Sequence, residues 1–509
     1  MKKSRRKQLQ SVVIFLKSTR AEKHREGIYM ILQEITKGFE PKRVLAFFEQ
    51  ICKIPHGSCN EEKIADYLQS FANLRGLYCF RDAKNNVLIK LPATEKYKNS
   101  PAVLLQGHTD MVCEKTSDSK HDFERDGLDL YLDGGFLRAR GTTLGGDDGI
   151  AVAMMLALLD GELPEHPALE CLFTVEEEVG LGGAEAFDYK KISARRMINL
   201  DSESEGEVVA GCAGGVRSKI AYKPSFEDAD GEIVSLRVDG LFGGHSGVDI
   251  NAGRSNAIIV ALELLKEINR AQDIRLVSLE GGEKDNAIPR SCRAVISVKN
   301  SDLAIDTVKK YEDSIRPALC SEDKNLKITA EIVQKGEKAL TVSDTGALLG
   351  LLSDIKAGVL SMSADLDGLV EFSRNLGIIK ADEGGVSVVY SSRSAKEEQV
   401  DLSIKQIEEA AKAVGGAVSH RGRYPGWDFA PDSDLRDIYI KKYREIMGKE
   451  VKTVVIHAGL ECGIISSKLP DMDIISVGPD IYNIHTPDEA LDLASTARVF
   501  EVLKAVLVS

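Results

Sequence analysis

What this 509-residue chain lacks narrows its function before any motif is considered. No stretch approaches the roughly 18 apolar residues that crossing a bilayer requires, which argues against an integral membrane protein. CxxC pairs and compact cysteine frameworks are missing as well. The nine cysteines are scattered and odd in number, a usage that fits a reducing cytoplasm rather than a disulfide scaffold. Nor is there a basic excess: 66 Lys and Arg stand against 79 Asp and Glu, a net charge of -13. That balance argues against a nucleic-acid surface and favours solubility. No internal repeat or low-complexity tract is evident. With 43% hydrophobic and 28% charged residues, the composition is that of a soluble globular protein. The length exceeds one ordinary core, so two or three domains are expected.

Residues 1–29 are basic, and their apolar run from Val12 to Leu16 stops at Lys17 without a following cleavage site. They are expected to form a disordered arm, or to be translated sequence upstream of a start at Met30.

The chain is organised around Ala102–Asp110, AVLLQGHTD. Val103, Leu104 and Leu105 form a short apolar run of the kind found in a buried parallel strand. His108 and Asp110 follow at its carboxyl end, where open α/β sheets place their chemistry. Leu169 to Val175 and Met197 to Leu200 read as two further buried strands, likewise followed at once by acids, Glu176-Glu177-Glu178 and Asp201. Asp147 and Asp148 sit in a glycine-rich turn that opens an apolar helix. Near the carboxyl end, His485 lies in NIHTPDEAL before a helix expected from Glu489 to Leu507. Asn60 is a candidate cap for a helix with Ile64, Tyr67, Leu68 and Phe71 on its apolar face. His56 is expected to be a loop histidine, and Glu203, Glu205 and Glu207 to be solvated charge. After Gly215 the texture changes to mixed α+β sequence, and α/β alternation returns near Tyr424-Pro425-Gly426-Trp427. One α/β domain in two sequence pieces, with another domain inserted, is the arrangement these features predict.

Two histidines and three or four carboxylates at strand and loop ends form a ligand set of imidazoles and hard oxygens. Such a set suits two divalent cations about 3.5–4 Å apart, with a bridging carboxylate and a water between them. A further free carboxylate would take the proton from that water, and the implied reaction is hydrolysis of an amide.

The stretches GHTDMVCEK, GTTLGGDDGIAVA, FTVEEEVGLGGA, NLDSESEGEVVAGCAGG, GGHSGVDINAGRSNA, NAIPR, IHAGLECG and NIHTPDEAL run in order from about Phe39 to the end. Through them the chain resembles the aminoacyl-histidine dipeptidases, cytosolic members of the dinuclear-zinc peptidase and aminoacylase-type family. The resemblance implies a mixed-sheet α/β catalytic domain, 30–214 and 425–509, and an inserted α+β lid domain, 215–424. It also implies two Zn2+ per chain, with Co2+ or Mn2+ as substitutes, a small dipeptide substrate of the Xaa-His type, and a homodimer. By the same resemblance, His108 and Asp201 would hold one metal, Glu178 and His485 the other, and Asp147 would bridge them. Glu177 would be the general base and Asp110 the residue that orients His108. His245, Asn286 and Arg393 would reach the substrate. His457 and Glu461 match a motif without an assigned role. Asp147-Asp148 stands where an Asp-Asn pair is common, which leaves Asp148 open as the bridge. Glu176-Glu177-Glu178 stands where Asp-Glu-Glu is usual. Hydrolysis of N-acyl amino acids on the same scaffold, or a catalytically silent scaffold protein, are the rival readings.

Overall fold

The computed structural model describes residues 33–333, 338–364, 366 and 368–509, so the basic segment 1–29 lies outside the described residues. Its organising element is the strand Val103–His108, buried at every position. It pairs in parallel with Leu169–Thr174 on one side and Arg196–Asn199 on the other. Alternation along the strand sends Val103 and Leu105 into one hydrophobic cluster and Leu104 into another. Both faces are thus covered, which is why the segment reads as continuous apolar sequence. The first cluster takes in helices Lys42–Ile51, Gly146–Ala157 and Leu493–Leu507, including fully buried Phe47, Phe48 and Phe500. Each such side chain contributes about 1.5–3 kcal/mol by leaving water. The complete sheet has eight strands in the order Tyr78–Arg81, Val87–Leu91, Leu169–Thr174, Val103–His108, Arg196–Asn199, Asp473–Ser476, Glu207–Cys212, Lys452–Ile456. Two of its last three members, Asp473–Ser476 and Lys452–Ile456, come from the far end of the chain.

Strands between Gly214 and Tyr424 build a second, nine-stranded antiparallel sheet, covered by the helices Ala257–Ala271, Ser301–Ile315, Val342–Asp354 and Glu397–Ala413 in one apolar cluster. The chain leaves the first sheet and returns to it through adjacent segments. Cys212 and Trp427 exchange both backbone hydrogen bonds, at 2.8 and 2.9 Å. Gly214 packs directly on Pro425 and Gly426, where a side chain would collide with backbone.

A small four-stranded sheet joins Ile481–Tyr482 and Ala490–Asp492 to Phe136–Ala139 and Leu130–Asp133. Its pairing corrects the expected start of the last helix. Residues 490–492 are extended, and the helix begins at Leu493 with Asp492 capping the N–H of Ser495 at 2.9 Å. The Asn60 cap is also not formed: helix Glu62–Arg75 follows Glu61 without a side-chain capping bond. Among the described residues no helix is long and apolar enough to cross a membrane.

Candidate active site

Three neighbouring parallel strands open at their carboxyl ends into one crevice. His108 ends Val103–His108, Glu177 and Glu178 follow Leu169–Thr174, and Asp201 follows Arg196–Asn199. Asp147 comes from the glycine-rich turn at the start of Gly146–Ala157, where it and Asp148 depart from helical backbone. His485 lies in the hairpin loop between Ile481–Tyr482 and Ala490–Asp492, with a left-handed φ of 62° that non-glycine residues seldom adopt.

Five of these side chains, His108, Asp147, Glu178, Asp201 and His485, converge. His108 Nε2 is 3.0 Å from Asp147 Oδ1 and 3.5 Å from Asp201 Oδ1. His485 Nε2 is 3.2 Å from Asp147 Oδ2 and 2.9 Å from Glu178 Oε1. Asp147 therefore spans both histidines with its two oxygens. Asp148 turns the other way: its Oδ2 accepts the backbone N–H of His108 at 3.1 Å and packs against Gly107, where a Cβ would strike it. Donor atoms of His108, Asp147 and Glu178 lie within 4.8 Å of one another, as do those of His108, Asp148 and Asp201.

Electrostatics favour a cation here. Burial, and after it Asp147 and Glu178, outweigh the attraction of His108 and push Asp201 up to about 6. Glu177 is raised well above the carboxylate range by burial and by Asp201, Glu461 and Glu178. Bonds from Asp147 and Glu178 push His485 up to about 10. His108 also rises, because Asp201, Asp110 and Asp147 outweigh its burial. Burial opposes ionisation of Asp147 too, but His108 and His485 hold it below the usual range. Crowded carboxylates facing two imidazole nitrogens fit the donor chemistry of a divalent-cation site.

A second set of residues holds these donors in place. The Nδ1 of His108 lies 3.0 Å from the Asp110 carbonyl and 3.5 Å from its carboxylate, so the backbone is the nearer partner. The Asp110 carboxylate accepts from Ser58 Oγ at 2.8 Å and from the backbone N–H groups of Glu177 and Glu178 at 3.0 and 3.3 Å. Glu489, 3% exposed, accepts the N–H groups of Leu144, Gly145, Gly146 and Asp147 at 2.7, 3.1, 2.8 and 3.4 Å. It thereby ties the His485 hairpin to the Asp147 turn. Sequence inspection missed this role, although Glu489 stands within the NIHTPDEAL stretch. Glu205 corrects another expectation: it is not solvated charge but accepts from Nε and Nη2 of Arg498, its side chain 8% exposed. Burial and the nearby Asp147 and Asp201 push Glu203 up to about 8, so it too is no solvated charge. His56 is a buried histidine bonded to the Ile54 carbonyl.

His245 and Asn286 lie on the nine-stranded side, linked through the short strands Gly244–His245 and Ala287–Ile288 and the bond from Ser246 N–H to the Asn286 carbonyl at 2.9 Å. His245 Nδ1 accepts the N–H groups of Gly247 and Val248 at 3.3 and 3.2 Å, which leaves Nε2 as the protonated nitrogen of the neutral ring. Burial and Arg393 push His245 down to about 4. Arg393 is 6% exposed, and among the described residues its guanidinium bonds only the Tyr424 hydroxyl, at 2.8 Å. A side chain at Gly247 would meet His245, Arg393 and the His457 carbonyl together. His457 Nε2 lies 2.7 Å from Ser373 Oγ, across the two sheets. Among the described residues, no hydrogen bond or ion pair joins His245, Asn286 or Arg393 to the His108–Asp147 cluster.

Strand-end imidazoles and carboxylates on a sheet covered on both faces, with a second sheet inserted in the chain, define a metallopeptidase. The family model for peptidase family M20/M25/M40 matches residues 104–509, and the chain belongs to that family. It is 35% identical over 471 residues to the cytosol non-specific dipeptidase of Escherichia coli (strain K12), covering 92% of this chain and 97% of that protein. The crystal structure of aminoacylhistidine dipeptidase from Vibrio alginolyticus matches with a TM-score of 0.87 and 34% identity, covering 93% of this chain and 98% of that one. An aminopeptidase structure from Bacillus cereus ATCC 10987, at 17% identity and a TM-score of 0.53 over 91% of this chain and 97% of its own, shares the fold.

Proposed function

We propose that this protein is a metal-dependent dipeptidase of the cytoplasm, with residues 30–214 and 425–509 as its catalytic domain and 215–424 as a lid. The observation that carries this reading is Asp147, whose two oxygens reach His108 and His485 at 3.0 and 3.2 Å, with Glu177 bonded through its N–H to the same Asp110 that lies against His108. His108 and Asp201 would hold one Zn2+, Glu178 and His485 another, with Asp147 shared. Bound there, the cations supply Lewis acidity to a scissile carbonyl and acidify water. Glu177 takes the proton from the attacking water and passes it to the leaving amine. The Nε2–H of His245 points a neutral donor at the carbonyl oxygen, and Arg393 pairs with the terminal carboxylate of the substrate. Asn286 stands beside His245 as a further substrate contact. The relatives named for dipeptides support small substrates, of the Xaa-His and related dipeptide class.

Replacing Glu177 with Ala tests the chemistry. Turnover should fall by about 10²–10⁴-fold, the range of a general base, while metal content stays at the wild-type level. Parallel assays of Xaa-His dipeptides, other dipeptides and N-acetyl amino acids test the substrate class. A preference for N-acetyl amino acids would move the assignment to an acylase. Sedimentation of the native protein tests the homodimer that the sequence resemblance carries.

A further inference from the structure

Glu461 opens the helix Glu461–Lys468 in the last part of the chain, yet it ends beneath the His108–Asp147 cluster. It is fully buried. Its Oε2 accepts from Gln106 Nε2 and from Thr174 Oγ1, both at 2.6 Å. Gln106 Oε1 in turn accepts from Asn199 Nδ2 at 2.7 Å, and Asn199 Oδ1 accepts the backbone N–H of Asp201 at 3.3 Å. Gln106, Thr174 and Asn199 are 0% exposed. They belong to the three parallel strands that end in His108, Glu177-Glu178 and Asp201. Gln106 lies two residues before His108 and so shares its face of the strand.

A buried polar network of this kind is a poor source of stability, because apolar residues of similar volume often do as well or better. Glu461 Oε1 makes the case stronger, since it has no hydrogen-bond partner among the described residues. A group tolerated at that cost directly under the donors suits orientation better than packing. We propose that Glu461 is a positioning residue. With Gln106 and Asn199 it locks the relative height and rotation of three strand ends, and so fixes the spacing of His108 and Asp201. This inference rests on the reading of the cluster as a divalent-cation site.

Cobalt(II) titration of the metal-free full-length protein, followed by visible absorption, tests it. Wild type should bind and give a defined spectrum. Glu461→Ala should bind about 10–100-fold more weakly with an altered spectrum, the usual effect of losing a residue that orients ligands. Glu461→Gln should stay close to wild type, because its amide oxygen accepts the same two bonds. In reloaded enzyme, the Ala variant should lower kcat and leave KM unchanged. If the Ala variant does not fold, Gln106→Leu removes the donor to Glu461 and should give the same weakening. Wild-type affinity and spectrum in either Glu461→Ala or Gln106→Leu, or an equal loss in Glu461→Gln and Glu461→Ala, would overturn the proposal while leaving the cation site standing. Failure of wild type to bind cobalt would remove both.

Discussion

The carboxylate of Asp110 accepts the backbone N–H of Glu177 at 3.0 Å and that of Glu178 at 3.3 Å, while Asp110's own carbonyl lies 3.0 Å from His108 Nδ1. One residue thus sets the ring of His108 through its backbone and the acid turn through its side chain. Asp110→Asn keeps the size and one acceptor but turns an NH2 toward a second N–H donor. Its kcat should fall about 10–100-fold, the range for residues that orient ligands. Steady-state kinetics on a dipeptide reads this, and an unchanged kcat would show that the acid turn holds its own shape.

Glu489 serves four backbone donors of the turn that carries Asp147. In Glu489→Gln one oxygen becomes a donor and faces N–H groups it cannot satisfy. Unpaired buried donors cost about 1–3 kcal/mol each, so the variant should lose roughly 2–4 kcal/mol in urea unfolding. Activity should fall with it. A wild-type unfolding midpoint would mean that the turn is held from elsewhere.

Arg393 is a buried guanidinium whose partner among the described residues is a neutral tyrosine hydroxyl. A substrate carboxylate would complete its pairing. Arg393→Met should lower kcat/KM for dipeptides about 10–100-fold, the worth of one charge-assisted bond of roughly 1.5–3 kcal/mol. Wild type should discriminate against dipeptide amides by a similar factor, and the variant should not. Equal losses on free acids and amides would point to a packing role.

Treatment with a chelator followed by dialysis should abolish hydrolysis, and Zn2+, Co2+ or Mn2+ should restore it. Elemental analysis of protein purified without chelator or affinity resin should find two ions per chain. Full activity in metal-free protein would contradict the donor assignment.

His457 makes a pH-dependent contact between the two sheets. Burial and the nearby Arg393 push it down to about 4, while an unfolded histidine titrates near 6.5. The unfolded chain therefore takes up the proton first as pH falls. Its contribution is complete above about pH 6.5 and is lost progressively toward pH 4, by up to about 3 kcal/mol. His457→Gln should flatten that part of the stability profile. An identical profile in the variant would assign the acid sensitivity to other groups.

Much of the sheet was legible because its strands are covered on both faces: Val103–Leu105 shows this as an unbroken apolar run, and Leu169–Val175 as a largely apolar one. Strand-end acids were legible for the same reason, since charge directly after such a run has few structural uses. Spacing alone does not bring His485 to Asp147 across 338 residues; a four-stranded sheet between distant hairpins does that. Glu205 was misjudged because its partner, Arg498, lies 293 residues away. Asp147 and Asp148 are indistinguishable in composition, and only the turn that aims one at the histidines and the other at Gly107 separates them.

The paired crossing at Cys212 and Trp427 has a mechanical consequence. Two connections that lie side by side and bond to each other join the nine-stranded plate to the first sheet at one doubled seam, so neither connection can shift without breaking the hydrogen bonds of the other. Glycine at 214 and 426 lets the two backbones meet closely at that seam. Ala213 donates its N–H to the carbonyls of Ile456 and Ala458, so the contact of His457 with Ser373 lies beside that same seam. A side chain at either glycine position would meet backbone and part the two connections.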